Sequence, residues 1–342
     1  MIVSIQYLRA IAAFFVLLSH VSEKNMGMFG GEMLHFWYEA GEFGVDIFFI
    51  VSGFIMSYTT QNLHQTPYAF ATFIKKRIVR IIPLYWLLTF VALAVFMVVP
   101  DKVNSSDNLV TVPLQSFFLF PVQQGEAYLL NVGWTLRNEF IFYFIFSLGL
   151  IFSKNIGTFI VMMILSLLML IPSLYDISHL HAYYHNFLNH LFFEFALGML
   201  LFILTQKIKN VPNLLSLSFI VIGFVLFYLL QSNIIEFTNI RGVDSGFIAL
   251  MICFGFVFLE PILAIKPVEL FMMLGAASYS TYLLHPFILS AARMAYNKID
   301  GFSSLSEITI TAILLFLSLF FGYLCYVFVE KNLIKVTKKL VG

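Results

Sequence analysis

Arg9 and His20 bracket the stretch LRAIAAFFVLLSH, whose other residues are apolar or small. In a helix at about 100° per residue, this spacing returns the histidine to within about 20° of the face that carries the arginine, about 16 Å further along. One face thus presents a guanidinium near one end and an imidazole, which exchanges protons near neutrality, near the other. A charge inside a bilayer costs several kcal/mol unless it is paired or wetted. Either the two residues work together, or Arg9 snorkels to one interface and His20 caps the helix at the other. Ala12 and Ala13, one turn above Arg9, leave room for another helix or a ligand to approach.

Later stretches carry residues of the same kind. In GVDIFFIVSGF, Asp46 opens a second apolar run, with Ser52 and Gly53 about two turns further in. Asp46 can orient or charge-balance His20 across a helix hairpin, or simply cap a helix N-terminus. Gly53 suits close helix packing. KKRIVRIIPLYW sets Lys75, Lys76, Arg77 and Arg80 before a helix opened by Pro83, with Tyr85 and Trp86 suited to an interfacial belt. Arg77 and Arg80 lie one turn apart and can hold phosphates, or serve only as topology anchors. In WTLRNEFIFYF, Trp134 marks the outer interface, Arg137 falls in the first turns and Glu139 lies about a turn and a half inside. A carboxylate at that depth calls for a buried partner or a function. SYSTYLLHPF puts Tyr279 and Tyr282 on one helix face with His285 in the same helix, and Pro286 frees a backbone carbonyl beside it. His285 can equally be a core histidine bonded to a carbonyl.

These residues sit in a chain of 342 residues that is 61% hydrophobic and only 11% charged, with a mean hydropathy of +0.93. A soluble domain carries about a quarter charged residues, so this chain lacks the polar surface of a water-facing globule. Its apolar runs are about 17–25 residues long, enough to cross about 30 Å of hydrocarbon as helix. Runs such as FIVMMILSLLMLI do not alternate as barrel strands would. The expected fold class is all-α: a polytopic integral membrane protein, one membrane domain over residues 1–342.

Spans are expected at roughly 5–21, 43–60, 81–99, 134–152, 156–175, 186–205, 213–231, 244–262, 270–292 and 306–329. Leu114–Val122 is too short to cross and is expected at the interface or re-entering. No basic segment precedes the first apolar run and no small-residue cleavage site follows it, so it reads as a retained helix. With the N-terminus inside, the cytoplasmic side collects Lys75, Lys76, Arg77, Arg80, Lys154, Lys207, Lys209, Lys266, Lys331, Lys335, Lys338 and Lys339. The other side collects Lys24, Lys102, Arg241, Arg293 and Lys298. This asymmetry implies about ten spans with both termini cytoplasmic. Cys253 and Cys325 lie within apolar runs, which supports neither a disulfide framework nor a metal cluster. The net charge of +1 gives no argument for nucleic acid.

LRAIAAFFVLLSH resembles the arginine–ten residues–histidine signature of the membrane acyltransferase-3 family. FGVDIFFIVSGF, RIVRIIPLYW, WTLRNEFIFY and SYSTYLLHPF resemble that family's later blocks, in order and at suitable spacing, so the likeness runs from Leu8 to the end of the last helix. WTLRNEFIFY looks closest to the branch associated with exopolysaccharide modification; many relatives have Ser and Glu-Glu where this chain has Thr135 and Asn138–Glu139. The resemblance implies a bacterial inner-membrane protein that acylates, usually acetylates, carbohydrate hydroxyls. It also implies acetyl-CoA as cytoplasmic co-substrate, no metal, and a sugar acceptor at the outer side or on a lipid carrier.

Under that resemblance, Arg9, Arg77 and Arg80 would hold the nucleotide phosphates while the thioester reaches His20, since an extended pantetheine arm is on the order of the ~16 Å between Arg9 and His20. His20 would take the proton from the sugar hydroxyl as general base. Glu139 or Asp46 would orient it, and Tyr279, Tyr282 or His285 would supply a donor for the oxyanion. Trp134, Arg137, Ser52 and Tyr282 are the candidates for substrate contact, and a covalent acyl-enzyme on His20 or Ser52 stays open. The rival function is a transporter or flippase of a lipid-linked sugar, which also needs a polar cavity. No paired repeats with broken helices support it. A purely structural subunit would leave the intramembrane charges without use.

Overall fold

The computed structural model of the chain describes residues 2–29, 32–66, 68–100, 103, 109–175, 182–235, 237–238, 240–296 and 306–341. Of the cations sorted above, Lys102 and Lys298 lie outside the described residues, as do the side chains of Lys24 and Arg241.

The chain is helical almost throughout. It begins with α1 (Val3–Phe29), α2 (Glu32–Gly41), α3 (Phe43–Thr60) and α4 (Ala69–Val98). A short parallel pair, β1 (Val110–Thr111) and β2 (Glu126–Ala127), flanks α5 (Pro113–Phe118). Then come α6 (Gly133–Gly149), α7 (Lys154–Leu174), a 3₁₀ turn at Ala182–Asn186, α8 (Phe192–Lys207) and α9 (Asn213–Gln231). The last elements are α10 (Arg241–Phe258), α11 (Glu260–Leu263), α12 (Glu269–Tyr296), α13 (Glu307–Cys325), a π-helical turn at Tyr326–Glu330 and α14 (Lys331–Val341).

Each expected span overlaps a helix, although that at 244–262 is broken at Leu259 between α10 and α11. Among the described residues, six helical segments are long and apolar enough to cross a membrane: Val3–Glu23, Phe36–Thr60, Ala69–Val98, Lys154–Leu174, Asn213–Gln231 and Glu307–Leu340. The helices α6 and α8 have 17 and 16 residues, about 25 Å each at 1.5 Å per residue. Long α12 is diluted by Ser278, Tyr279, Ser280, Thr281 and His285. Large apolar side chains point outward from the long helices, as on α4 (Met97), α7 (Phe159) and α9 (Leu214), the pattern of a surface solvated by lipid. The protein is an all-α membrane protein.

Three local expectations are corrected. Pro83 does not open a helix: α4 runs through it from Ala69, because a membrane helix tolerates the one missing N–H bond. The basic residues Lys75–Arg80 are therefore on the helix, not ahead of it. Asp46 is not a cap, since α3 starts at Phe43 and Asp46 is buried in its first turn. The span expected to start near residue 186 starts at Phe192, after a turn in which Asn189 Oδ1 accepts from the Leu191 N–H at 3.0 Å.

Contacts divide the chain into two compact units: Met1–Val51, Thr205–Asn239 and Asp244–Lys331 in the first, and Ser52–Leu204, Ile240–Val243 and Asn332–Gly342 in the second. In the first, α1 packs on α2, α12 and α13. Its N-terminus is held by Glu260, whose carboxylate accepts from the Val3 and Ser4 N–H groups at 2.8 and 2.6 Å; a negative charge is favoured at those unpaired donors. The Tyr7 hydroxyl accepts from the Val268 N–H at 2.5 Å, so the first turns of α1, just ahead of Arg9, are anchored twice. The first part of α3 approaches α1 at Gly44, where any side chain would run into the Ala12 carbonyl and Val16.

In the second unit, α6 packs on α4 and α7. Gly53 lies against the Phe195 carbonyl with no room for a Cβ, the packing role its small size suggested. Tyr85 and Trp86 on α4 donate to the Ser116 and Phe117 carbonyls at 2.5 and 2.8 Å, which seats the six-residue α5 against the longer helix.

Candidate active site

Each unit has its own polar cluster. In the first, Arg9 Nη2 donates to Ser278 Oγ at 2.9 Å, tying α1 to α12. Two turns and more along these helices, the rings of His20 and His285 face one another with centroids 4.9 Å apart and planes 30° apart. The carboxylate brought to His20 is Glu23, whose Oε2 lies 3.2 Å from Nδ1. This partner, one turn on along the same helix, is a residue that the sequence reading did not single out. With Nδ1–H directed at Glu23, the other ring nitrogen, Nε2, carries the lone pair.

His285 is buried, with Nδ1 at 3.3 Å from the Thr281 carbonyl. Pro286 lacks an N–H, so it leaves the Tyr282 carbonyl without its helical donor, and the His285 ring lies against that carbonyl too. A neutral imidazole that donates from Nδ1 to a carbonyl presents a lone pair at Nε2. That nitrogen is buried and has no hydrogen-bond partner among the described residues. Tyr282 packs its ring 5.9 Å from that of His285 and 6.4 Å from that of Phe48. Tyr279 is half-buried on the same helix, and Asp46 is buried on α3.

The cluster of the second unit joins α3, α4 and α6. Ser52 Oγ donates to Glu139 Oε1 at 2.8 Å, and the Tyr143 hydroxyl donates to the same oxygen. Tyr143 follows Glu139 by four residues, the spacing at which helix side chains meet. The Arg77 guanidinium lies over the rings of Phe73 and Tyr143, 5.6 and 6.0 Å from their centroids. Arg80, one turn further along α4, is half-buried. The cluster thus runs from a cation through a phenol to a carboxylate and a hydroxyl.

Beside it on α6, Arg137 is buried. Its Nε and Nη2 donate to Asn138 Oδ1 at 3.3 and 3.0 Å, and Nη1 donates to Asn186 Oδ1. Asn186 is aimed by its own amide, which donates to the Val122 and Tyr183 carbonyls at 2.9 and 3.1 Å. The Tyr128 hydroxyl is also at hand, and burial holds that phenol above its ordinary pKa against the pull of Arg137. Trp134 is half-buried at the start of the helix.

Nothing in the sequence pattern pointed to Asn186, which reaches Arg137 from a distant turn. Three buried carboxylates were also passed over: Glu194 in the first turn of α8, Asp244 in the first turn of α10, and Glu330, whose Oε2 accepts from Ser280 Oγ at 2.5 Å. An ionisable residue within an apolar run was the available signal. Among the described residues no group of three or more His, Cys, Asp or Glu could hold a metal ion.

No solved structure matches the chain. It is similar to the exopolysaccharide production protein ExoZ of Rhizobium meliloti (strain 1021), 29% identical over 270 residues that cover 75% of this chain and 78% of that protein. It is also similar to an uncharacterized protein of Haemophilus influenzae, 28% identical over 218 residues, 56% of this chain and 89% of the relative. A family model described as an acyltransferase domain matches residues 2–327. The chain, with its five blocks in order on α1, α3, α4, α6 and α12, belongs to the acyltransferase-3 family.

Proposed function

We propose that the protein transfers an acyl group, most simply acetyl, from cytoplasmic acetyl-CoA to a hydroxyl of a cell-surface or lipid-linked carbohydrate, with His20 as general base. The observation that carries this reading is the His20 imidazole, aligned by Glu23 at Nδ1 and facing His285, on the same helix as Arg9. The similarity to a protein of exopolysaccharide production supports a carbohydrate acceptor. The reading also takes the chain as crossing a bacterial inner membrane about ten times, with both termini in the cytoplasm.

In this mechanism His20 Nε2 removes the proton of the acceptor hydroxyl as its oxygen attacks the thioester carbonyl. The tetrahedral oxyanion collapses, the C–S bond breaks, and the imidazolium returns its proton to the departing CoA thiolate. Glu23 keeps the ring in the tautomer that leaves Nε2 basic, as the third member of a triad does. A phenol from Tyr279 or Tyr282 is the candidate donor to the oxyanion. Arg9 is a candidate for the donor's phosphates, and Arg77 with Arg80 on α4 another.

The test is transfer from labelled acetyl-CoA to carbohydrate in membranes that carry the wild type, His20→Ala or Arg9→Ala at matched levels. The proposal expects His20→Ala to lose about 10²–10⁴-fold in rate, and Arg9→Ala to lose affinity for the donor. Sugar translocation without consumption of acetyl-CoA would instead make the protein a transporter. Full activity in both variants would return the two residues to the role of interfacial anchors.

A further inference from the structure

The final helix starts where the last uncharged run ends. Ile308–Val329 carries no Asp, Glu, Lys or Arg, and at 1.5 Å per residue it makes about 33 Å of helix, enough to cross about 30 Å of hydrocarbon. The chain does not stop there: it passes through the π-helical turn at Tyr326–Glu330 and continues as α14. This helix, KNLIKVTKKLV, holds four lysines and no acidic residue. At about 100° per residue, Lys331, Lys335, Lys338 and Lys339 fall within an arc of about 100°, and all of them are exposed. Leu333, Ile334, Val336 and Leu340 take the other side. Val336 and Leu340 are 54% and 80% exposed, and the other two are half-buried.

A topology signal needs only the charges, and an amphipathic helix in water has to cover its apolar side. Neither calls for lysines set against an open apolar face. That combination is complementary to an anionic membrane surface, where the apolar side chains sink to the boundary of headgroups and acyl chains and the lysines meet the headgroup charges. The start of the helix is also fixed at a suitable level. Glu330 is buried and accepts from Ser280 of α12, while Lys331 Nζ lies 4.6 Å from the ring centroid of Tyr326, a residue type that favours the membrane–water interface. We propose that α14 lies against the cytoplasmic leaflet, with its apolar face in the lipid and its lysines on anionic headgroups. The proposal is independent of acyl transfer and takes from the reading above only a cytoplasmic C-terminus.

The experiment follows amide hydrogen exchange in the purified full chain, one copy per nanodisc, in discs of phosphatidylcholine alone or mixed with phosphatidylglycerol. Peptides from α14 are expected to exchange at least tenfold more slowly in the mixed discs, while those from α1 and α12 exchange alike in both. A combined Lys335→Gln, Lys338→Gln and Lys339→Gln variant keeps the apolar face and should bring α14 in mixed discs back to its rate in phosphatidylcholine. A second variant, Val336→Gln with Leu340→Gln, should remove the protection although every lysine remains. Glutamine keeps the helix propensity and all these positions are exposed, so the melting temperature should not move. Equal and fast exchange in both discs would make the lysines topology anchors on a solvated tail and overturn the proposal. Equal and slow exchange in both would mean that something other than anionic headgroups covers the face, and would overturn it too. So would protection that survives in the lysine variant.

Discussion

The polar clusters of the two units are held by different kinds of bond. In the first, each histidine is aligned from within its own helix, His20 by Glu23 and His285 by the Thr281 carbonyl. The two rings then meet face to face, each with one nitrogen uncommitted to that alignment. In the second, partners come from other helices as well as the same one. Glu139 accepts from Ser52 of α3 and Tyr143 of its own helix, while Arg77 of α4 rests on the aromatic rings. The first arrangement leaves one ring nitrogen of each histidine outside its aligning bond; the second engages its carboxylate oxygen and leaves a net positive charge at Arg137. Under the acyl-transfer proposal, the first unit would supply the groups that move a proton and the second those that hold a hydroxylated substrate.

The sharpest way to break that contrast is at His285. Phenylalanine keeps the ring's bulk and its packing against His20 but removes Nε2. His285→Phe is expected to slow acetyl transfer by about 10²-fold with the KM for acetyl-CoA unchanged, measured as initial rates in membranes with matched protein levels. If His285 only fills space, the substitution will cost little and the paired imidazoles will lose their meaning as a proton-handling device.

Glu139→Gln probes the other side with a smaller effect. The amide oxygen still accepts from Ser52 and Tyr143, so the fold should melt at the same temperature, but the negative charge is gone. We expect about a tenfold rise in the KM for the acceptor, within the range for hydrogen bonds to charged groups, and little change in kcat. A fall confined to kcat would move Glu139 into the chemical step and erase the distinction between the units.

Much of this was legible in the residues themselves. The helix periodicity of α1 puts Arg9 and His20 on one face, and both meet α12, Arg9 by its bond to Ser278 and His20 by ring contact with His285. Gly53 is read correctly as a packing residue because a glycine in an apolar run has few other uses. Glu23 was within reach of the same reasoning, since it follows His20 by three positions, but it lies beyond the apolar run, where an acid draws no notice. Pro83 misled because proline ends soluble helices, whereas a helix in lipid has no alternative to staying helical. Asn186 was illegible for a different reason. Its meeting with Arg137 depends on how a turn between α7 and α8 returns to α6, and no local period encodes a contact across 49 positions.

The smallest effect is expected at Ser278, and it sharpens the comparison within the first unit. Ser278 Oγ accepts from Arg9 Nη2 at 2.9 Å and is itself buried, so it aims the guanidinium without bearing charge or taking part in proton transfer. Arg9 is only half-buried and has further interactions, so other partners and water can recover most of the lost bond. Ser278→Ala is therefore expected to raise the KM for acetyl-CoA by about threefold, at the low end of what one hydrogen bond contributes, while kcat stays constant. Ser278→Thr, which restores the hydroxyl, should return the KM to the wild-type value. If Arg9 only snorkels to the interface, Ser278→Ala will lower the melting temperature and leave the KM untouched. A change in kcat would mean that the aim of Arg9 is transmitted to the imidazole pair, and that donor binding and proton transfer in this unit are one device instead of two.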